Sequence, residues 1–527
     1  MSPIRKFLAL ALLILIALFT VWPTVISFSD GIVEEYDGML IVWILNQTIQ
    51  KIPHNILNIF QSYIFYPFSD SLAFSVLMIP SAILSYLPVK LTGSFVAASN
   101  FTIIFGQIAT VLVVYFWLKD ISENRLISFI GAVALILSKI RFNFLVHLQM
   151  WTMYWWLLPS WMFWRYFKYK RAKDLYLGFV LTGIVIWENV LPFYFVATIL
   201  AALVVTNSTT FKKQLKHFVI GGIIAVVIAI PVILVYREVS ITHGFVRTIR
   251  DAAHFSSGLD DLSNRSFSPV IFLLFGLSLF KLGRDKDVLN KNTKWMFIVF
   301  IMSFLFTLGP VMKWGGETVK LFGKIPIPLP YALFYYLVPG LNALRATSRW
   351  ILLTVFSVVA LFSYAFRNLN FQKRTLFSVI FLLLLLLDVN RIEKSYSVPA
   401  DKDIPEVYQW LINSKYRSVL ELPMYNWTDK VLKKNEYYRM YFSLFHRKKV
   451  VNGVSGFMPE ETSELMNLSR KAGSMYQIAS ELSFFDPDIV IVHQDQQKAL
   501  LGNTLSLCSF ADSVAWQDDD TIVVELK

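Results

Sequence analysis

Residues 217–236 read HFVIGGIIAVVIAIPVILVY, twenty positions without an acidic, lysine or arginine side chain. A helix that crosses the hydrocarbon core of a bilayer needs about 20 consecutive apolar residues, and this run supplies them. A soluble fold would have to bury such a helix on every face. The stretch therefore predicts a membrane-spanning helix, and comparable runs recur along most of the chain.

The composition of the 527-residue chain extends this prediction. Hydrophobic residues make up 56% of it and charged residues 16%, against about 45–50% and about 25% in soluble domains. The excess runs from Phe7 to about Asp388 and then stops, which predicts a membrane domain, 1–389, and a polar domain, 390–527. The single cysteine, Cys508, excludes an intrachain disulfide. Walker A, HExxH and GxSxG motifs are absent from the sequence, which argues against an ATP-driven pump or a membrane protease.

Basic clusters set the orientation, because cytoplasmic loops collect lysine and arginine. Six clusters lie two crossings apart: Arg5–Lys6, Lys119–Arg125, Lys168–Lys173, Lys212–Lys216, Lys281–Lys294 and Arg367–Arg374. The crossings then fall near 7–28, 95–118, 126–142, 150–167, 174–188, 190–206, 217–236, 269–282, 295–309, 350–366 and 375–388. About eleven crossings place the N-terminus in the cytoplasm and the C-terminal domain outside the cytoplasmic membrane, with the first run predicted to be an uncleaved helix.

One apolar stretch, Leu72–Lys90, would move every later basic cluster to the outside if it crossed the membrane. We therefore expect it to lie in the interface, within a long first external loop, 29–94, together with segment 39–52. The C-terminal region contains three predicted strands and two predicted helices: Val419–Leu422, Ile489–Val492 and Thr521–Leu526, and Val407–Asn413 and Glu460–Ala472. The predicted fold is a polytopic α-helical membrane protein with a C-terminal extracytoplasmic α/β domain.

Acidic side chains crowd the start of the first external loop, in SDGIVEEYDG at positions 29–38, which contains Asp30, Glu34, Glu35 and Asp37. One interpretation is a solvated cap on the end of the first helix. The other is a general base at the membrane–water boundary, where a carboxylate can deprotonate an incoming hydroxyl while a lipid-linked substrate stays in the bilayer.

A second polar spot lies in the short loop RFNFLVHLQ, 141–149, which precedes an aromatic helix. One interpretation of His147 and Gln149 is an interfacial aromatic belt with a capping histidine. The other is that both bind sugar hydroxyls, or that His147 binds a phosphate or a metal. Glu188, between two apolar runs, either reaches the interface or lines a site, since ionisable residues in membrane segments are functional candidates.

The external segment PLPYALFYYLVPGLNALRATSR, 328–349, carries Arg345 and Arg349 four residues apart, a spacing that predicts one shared helix face. Guanidinium groups pair bidentately with phosphate oxygens, so these arginines are candidates for phosphate binding. Snorkelling toward lipid headgroups is the alternative. Arg247, in GFVRTIRDAAHFSS, is a weaker candidate of the same kind.

Several short pieces follow one another along the chain in this order: DGMLIVW, YPFSDSLAF, Asn100, His147–Gln149, the 328–349 segment, VYQWL, ELP, VNGVSGF and VIVH. In this order they resemble the GT-C superfamily of membrane glycosyltransferases, over almost the whole chain. The resemblance implies a polyprenyl-phosphate-linked sugar as donor and a glycan, lipid or protein acceptor. It also implies that Asp37 is the first-loop catalytic acid, with Asp30 as the second choice.

Some members of this superfamily hold a divalent metal such as Mg²⁺ or Mn²⁺ on an acidic residue of the second external loop. Here that loop offers His147 and Gln149 and no Asp or Glu, so the sequence leaves metal dependence open. Three functions stay open: an inverting glycosyltransferase, a transporter or flippase of lipid-linked saccharides, and a non-catalytic membrane scaffold with a saccharide-binding external domain. The bilayer is a partner in all three, and nucleic acid in none.

Overall fold

The computed structural model describes residues 3–52, 54–261, 268–286, 288, 290–369, 390–392, 394–400, 403–426, 428–429, 432–471, 478–501 and 511–526. The predicted crossing 375–388 lies outside the described residues.

Helices dominate the described residues. In chain order they are α1 (Pro3–Thr20), α2 (Trp22–Ile26), α3 (Asp37–Ile49), α4 (Ile79–Thr92), α5 (Val96–Ser122), α6 (Arg125–Leu137), α7 (Lys139–Phe142), α8 (Leu148–Trp151), α9 (Tyr154–Tyr169), α10 (Ala172–Glu188), α11 (Val190–Thr206), α12 (Ser208–Lys213), α13 (Leu215–Thr242), α14 (Ile249–His254), α15 (Leu259–Asp261), α16 (Pro269–Arg284), α17 (Lys291–Thr307), α18 (Pro330–Leu337), α19 (Ile351–Ala365), α20 (Glu406–Asn413), α21 (Lys434–His446), α22 (Glu460–Ser469), α23 (Ala479–Phe485) and α24 (Gln494–Leu501).

The strands are short and most lie late in the chain. They are β1 (Gly31–Ile32), β2 (Lys313–Trp314), β3 (Glu317–Thr318), β4 (Lys320–Leu321), β5 (Ile325–Pro326), β6 (Tyr396–Ser397), β7 (Ser418–Leu422), β8 (Lys449–Val450), β9 (Ile489–His493), β10 (Ala511–Gln517) and β11 (Thr521–Leu526).

Three stretches of described helix are long and apolar enough to cross a membrane: Val96–Ser122, Leu215–Thr242 and Thr347–Ala365. The quoted run 217–236 falls inside α13, whose apolar window has a mean hydropathy of 3.1 and is only 28% buried within the protein. Most of that surface needs an apolar solvent, which a bilayer provides. Other predicted crossings coincide with shorter helices, so the total of eleven stays a prediction.

Asparagine side chains mark two of the boundaries between consecutive helices. Asn189 is extended (φ −169°) and its Oδ1 accepts from the backbone N–H of Leu191 at 2.8 Å, which caps α11 and separates it from α10. Asn124 caps α6 by accepting from the backbone N–H of Ile127 at 3.4 Å. These residues favour N-caps because a short polar side chain satisfies a free backbone donor there. The closely joined pair 174–206 is therefore two helices, as the sequence predicted.

Contacts divide the chain into two compact units. Unit 1 comprises 1–26, 102–231 and 246–393, and unit 2 comprises 27–101, 232–245 and 394–527. Unit 1 has a large helical core that includes Trp117, Trp156, Phe195 and Trp350. The C-terminal residues thus share a unit with the first loop. The boundary at 389, which separates the predicted membrane domain from the predicted polar domain, stays a prediction.

Unit 2 contains a five-stranded sheet in the order β10-β11-β9-β7-β8. Buried residues of this sheet form part of a hydrophobic core in unit 2. Strand β7 pairs in parallel with β9 on one side and with the edge strand β8 on the other, and β11 and β10 continue the sheet antiparallel. Both β7 and β9 are buried along their whole length, which is typical of parallel strands covered on two faces. The three predicted C-terminal strands and two helices are confirmed at the level of secondary structure.

Candidate functional site

The first loop is fixed in unit 2 before it reaches its acidic residues. The side-chain amide of Asn100 donates to the backbone oxygens of Ser27, Phe28 and Gly31 at 3.1, 3.0 and 2.7 Å. Gly31 pairs with Ser397 in the β1–β6 ladder. A Cβ on Gly31 would lie 2.3 Å from the hydroxyl of Ser395, so only glycine allows this approach. Asn100, quoted above only as part of a pattern, is thus a loop anchor.

Asp37 is the first residue of α3 and is half-buried. A carboxylate in the first turn is stabilised by the helix dipole. Its neighbour Glu34 accepts from the backbone N–H of Gly38 at 3.0 Å. Burial raises the pKa of Glu34, and the charge of Asp37 raises it further, while backbone hydrogen bonds act against both. The loop therefore holds the Glu34 carboxyl close to the charge of Asp37.

Helix α21 of the C-terminal region packs against this loop within unit 2. Tyr438 donates from its hydroxyl to Glu35 at 3.1 Å, and the Tyr36 and Tyr437 rings meet edge to face at 5.8 Å. Burial raises the pKa of Tyr437, and the charges of Asp37 and Glu34 raise it further. Asp37 and Glu34 therefore lie close to this phenol. Asp30 is exposed, and its backbone oxygen accepts from Val398 at 2.9 Å.

The second polar loop belongs to unit 1 and is held by a buried arginine. Arg141 donates to the side chain of Gln107 and, at 2.9 Å, to the backbone oxygen of Trp151, and it lies over the Trp151 ring at 4.1 Å. The indole of Trp151 donates to the backbone of Ile103 at 2.9 Å. The two ends of the loop are thus tied together and to α5. The sequence pattern assigned Arg141 no role within the polar loop, because its partners are distant in sequence.

Arg345 and Arg349 do not share an α-helical face, so that prediction was wrong. Residues 344–346 are irregular, and a short 3₁₀ helix follows, from Thr347 to Trp350. Both arginines nevertheless act on His147. The pKa of this imidazole is lowered to about 3, first by burial and then by the positive charges of Arg349 and Arg345. The structure therefore brings these three predicted residues together in unit 1.

Arg247 joins the same group, which we call the arginine cluster (Arg247, Arg345, Arg349). Its pKa is lowered to about 10, first by burial and then by the charge of Arg345, with Asp251 opposing. Arg345 also lies over the ring of Phe255 at 4.9 Å. Like charges held close together in partly buried positions repel one another, and a bound anion relieves that repulsion. Asp251 and Phe255 were missed by sequence reasoning, which had only their proximity to Arg247 as a signal.

Gln149 and Glu188 are buried in unit 1. The side-chain oxygen of Gln149 has no hydrogen-bond partner among the described residues, although the residue is only 5% exposed. Glu188 accepts from the Thr152 hydroxyl at 3.4 Å. A buried acceptor without a donor costs free energy unless a ligand or water supplies one. Within the described ranges, no three His, Cys, Asp or Glu side chains are arranged to hold a metal ion, so a metal-binding residue set is not evident here.

No family model matches the chain, and no curated protein matches it. Several solved structures match the chain in fold. Archaeal oligosaccharyltransferase AglB from Archaeoglobus fulgidus, in complex with an inhibitory peptide and a dolichol-phosphate, matches with a TM-score of 0.54 at 12% identity, over 95% of this chain and 72% of that chain. Arabinofuranosyltransferase AftD from Mycobacteria matches with a TM-score of 0.59 at 12% identity, over 100% of this chain and 40% of that chain.

ArnT from Cupriavidus metallidurans, in the apo state, matches with a TM-score of 0.51 at 10% identity, over 99% of this chain and 97% of that chain. The chain spans less than half the length of AftD and nearly the whole of ArnT. These proteins are membrane glycosyltransferases of the GT-C superfamily, and the chain has the GT-C fold. The likeness is one of fold, since the identities are so low.

Proposed function

We propose that this protein is an inverting glycosyltransferase that moves a hexosyl or pentosyl group from a polyprenyl-phosphate donor to an acceptor on the external face of the membrane. The observation that carries the proposal is the arginine cluster beside His147. Three cations at one half-buried place favour a ligand with at least one negative charge. The GT-C fold adds support, because AglB was solved with a dolichol-phosphate.

The arginine cluster acts on the leaving group. When the acceptor oxygen or nitrogen forms its bond to the anomeric carbon, the bond from that carbon to the phosphate oxygen breaks and its electron pair stays on the phosphate. Negative charge therefore grows on the phosphate in the transition state, where fixed guanidinium groups stabilise it most effectively. Because the phosphate leaves readily once stabilised, a dedicated general acid is not required.

Asp37 acts as the base. It takes the proton that the acceptor hydroxyl or amide loses as the new bond forms, at a helix N-terminus that keeps the carboxylate charged beforehand. Glu34 is the nearby carboxyl that a proton reaches next. In unit 1, Gln149 offers its unpaired oxygen to a donor sugar hydroxyl, and Glu188 lies next to the Thr152 hydroxyl. Asp30 is the second choice for the base, although it is exposed and lies before the helix.

The experiment is a deletion strain complemented with wild-type protein, Asp37→Asn or Asp30→Asn, followed by mass spectrometry of its glycoconjugates and a transfer assay in membranes with the native lipid-linked donor. Loss of a positioned base typically lowers the rate about 10²–10⁴-fold. We expect that loss in Asp37→Asn, and near-normal transfer in Asp30→Asn at equal protein level. Wild-type transfer by Asp37→Asn would sink the assignment of the base. An unchanged glycoconjugate profile in the deletion strain would contradict the proposed transferase.

A further inference from the structure

Two β-hairpins, β2–β3 and β4–β5, lie between the end of α17 and Arg345 in the chain, and all of these residues belong to unit 1. Their bases are joined by backbone hydrogen bonds: Met312 N–H to the oxygen of Ile327 at 3.0 Å, and Ile327 N–H to the oxygen of Val319 at 3.2 Å. The second hairpin, β4–β5, ends in a turn closed by Lys324 N–H to the oxygen of Leu321 at 3.0 Å. Gly323 takes the left-handed conformation that this turn requires (φ +72°).

The tip of the β4–β5 hairpin is apolar and uncovered. Phe322 is 94% exposed, and Leu321 and Ile325 on either side of it are also exposed. Single exposed apolar residues are common on protein surfaces, but three at one hairpin tip make a patch that water solvates poorly. The hydrogen-bonded base holds this patch away from the core of unit 1.

Helix α18, just after the hairpin, repeats the pattern. Tyr331 and Tyr335 are buried on one face. Leu333, Tyr336 and Leu337 are exposed on the opposite face, at the i, i+3, i+4 spacing of a single apolar stripe. A helix of this kind has one stripe packed on protein and a second stripe that requires another apolar medium.

The charges and the neighbouring helix identify that medium. Lys320 and Lys324 flank the apolar tip and are exposed, and no Asp or Glu occurs from Thr318 to Arg349. Phe334 of α18 packs against Phe306 at the end of α17, with ring centroids 5.0 Å apart. Because α17 is a predicted membrane crossing, α18 lies where that crossing leaves the hydrocarbon core.

We propose that the β4–β5 tip and the exposed stripe of α18 insert into the lipid bilayer at its interface. Phe322, Leu321 and Ile325 enter the acyl boundary, while Lys320 and Lys324 bind the phosphates of anionic headgroups, as basic side chains do beside a membrane. The insertion holds the segment that leads to Arg345 at headgroup depth.

The test uses spin labels on full-length protein in nanodiscs of phosphatidylcholine and phosphatidylglycerol. In a Cys508→Ser background, single cysteines replace Phe322, Leu337 or, as the control, Glu317, an exposed acidic residue beside the Gly315–Gly316 turn of the β2–β3 hairpin. Oxygen concentrates in bilayers and nickel–EDDA in water. We expect labels at 322 and 337 to be relaxed severalfold more by oxygen than by nickel–EDDA, and the label at 317 to show the reverse.

A second measurement checks the lysines. Lys320→Gln with Lys324→Gln should lower the oxygen preference at 322 in anionic nanodiscs and leave the label at 317 unchanged. The proposal is overturned if the label at 322 is as accessible to nickel–EDDA as that at 317. It is equally overturned if the label at 322 is shielded from both reagents and shows spin–spin coupling, because a second copy of the chain would then cover the tip. Neither result depends on glycosyl transfer.

Discussion

The charge of Arg345 acts on three neighbouring side chains, His147, Arg247 and Asp251. Replacing this arginine with alanine removes a cation from the place where we assign the developing phosphate charge. The loss of one such electrostatic group typically costs about 10²–10³-fold in kcat. We expect a loss of this size for Arg345→Ala in the membrane transfer assay, and a partial loss for Arg345→Lys, which keeps the charge without the bidentate geometry.

Arg250→Ala is the matched control. Arg250 lies in the same loop as Arg247 but is exposed. Its loss should leave transfer within about twofold of wild type, since surface charges far from a site act weakly through water. Equal losses in Arg345→Ala and Arg250→Ala would mean that overall positive charge matters and not the cluster.

His147 should make the fold sensitive to acid. Its pKa is lowered to about 3 in the folded protein, against about 6.5 in an unfolded chain. Below about pH 6.5 the unfolded chain therefore binds more protons than the folded one, so stability falls as the pH drops. The midpoint of thermal unfolding should decrease between pH 7.5 and pH 5, and this decrease should be smaller in His147→Asn.

His54→Asn serves as the control for this measurement, because His54 is exposed. It should retain the full acid sensitivity of the wild type. A decrease of the same size in wild type, His147→Asn and His54→Asn would assign the acid sensitivity to other groups, and the proximity of His147 to the two arginines would lose its support.

At the residue scale, the sequence indicated which side chains were candidates for function but not which residues they contact. His147, Arg345 and Arg349 could be singled out because charged residues are rare in such an apolar chain. Arg141 and Asn100 could not be assigned anchoring roles, because their partners are 10 to 73 residues away and only the fold brings them together. Gln149 was found as a polar residue, but its unpaired oxygen depends on burial that the sequence does not show.

Helix α21 depends on a buried charge network in unit 2. Arg439 is 2% exposed and contacts Glu436 at 3.0 Å and Glu421 at 3.4 Å. Burial alone would raise the pKa of Glu421, but a hydrogen bond from His493 and the charge of Arg439 lower it. Removing one partner of a buried ion pair leaves an uncompensated charge and costs about 3–5 kcal/mol. Arg439→Ala should therefore lower the thermal unfolding midpoint sharply.

Two further variants make this measurement specific. Arg417→Ala, at an exposed arginine next to β7, should have little effect on the midpoint. Adding Glu436→Gln to Arg439→Ala should recover part of the loss, since it removes one of the two carboxylates left without a cation. A midpoint for Arg439→Ala that matches Arg417→Ala would show that the network contributes little to the stability of unit 2.

At the element scale, hydrophobic runs and caps were sufficient for most helices. The break between α10 and α11 falls at Asn189, and the C-terminal strands lie where β-branched runs placed them. The shared helix face of Arg345 and Arg349 failed because Pro339 and Gly340 (φ +78°) begin an irregular path that helical spacing does not describe. The packing of α21 on the first loop was also out of reach, because it joins residues about 400 positions apart.

At the scale of the whole molecule, the GT-C resemblance came from the order of short pieces and not from any one of them. Identities of 10–12% with solved structures of this fold explain why. A bilayer accepts almost any apolar side chain on a lipid-facing helix, so sequence can vary widely while the helical framework persists.

The predicted sidedness depends on whether segment Leu72–Lys90 crosses the membrane. Helix length does not decide this, because α4 has 14 residues and α6, in a predicted crossing, has 13. Single cysteines in a Cys508→Ser background, at His54 before α4 and Glu123 after α5, should report this. A membrane-impermeant maleimide applied to intact cells should label position 54 and not position 123. Labelling of both from outside would mean that α4 and α5 together cross the membrane an even number of times, and every later loop would change sides.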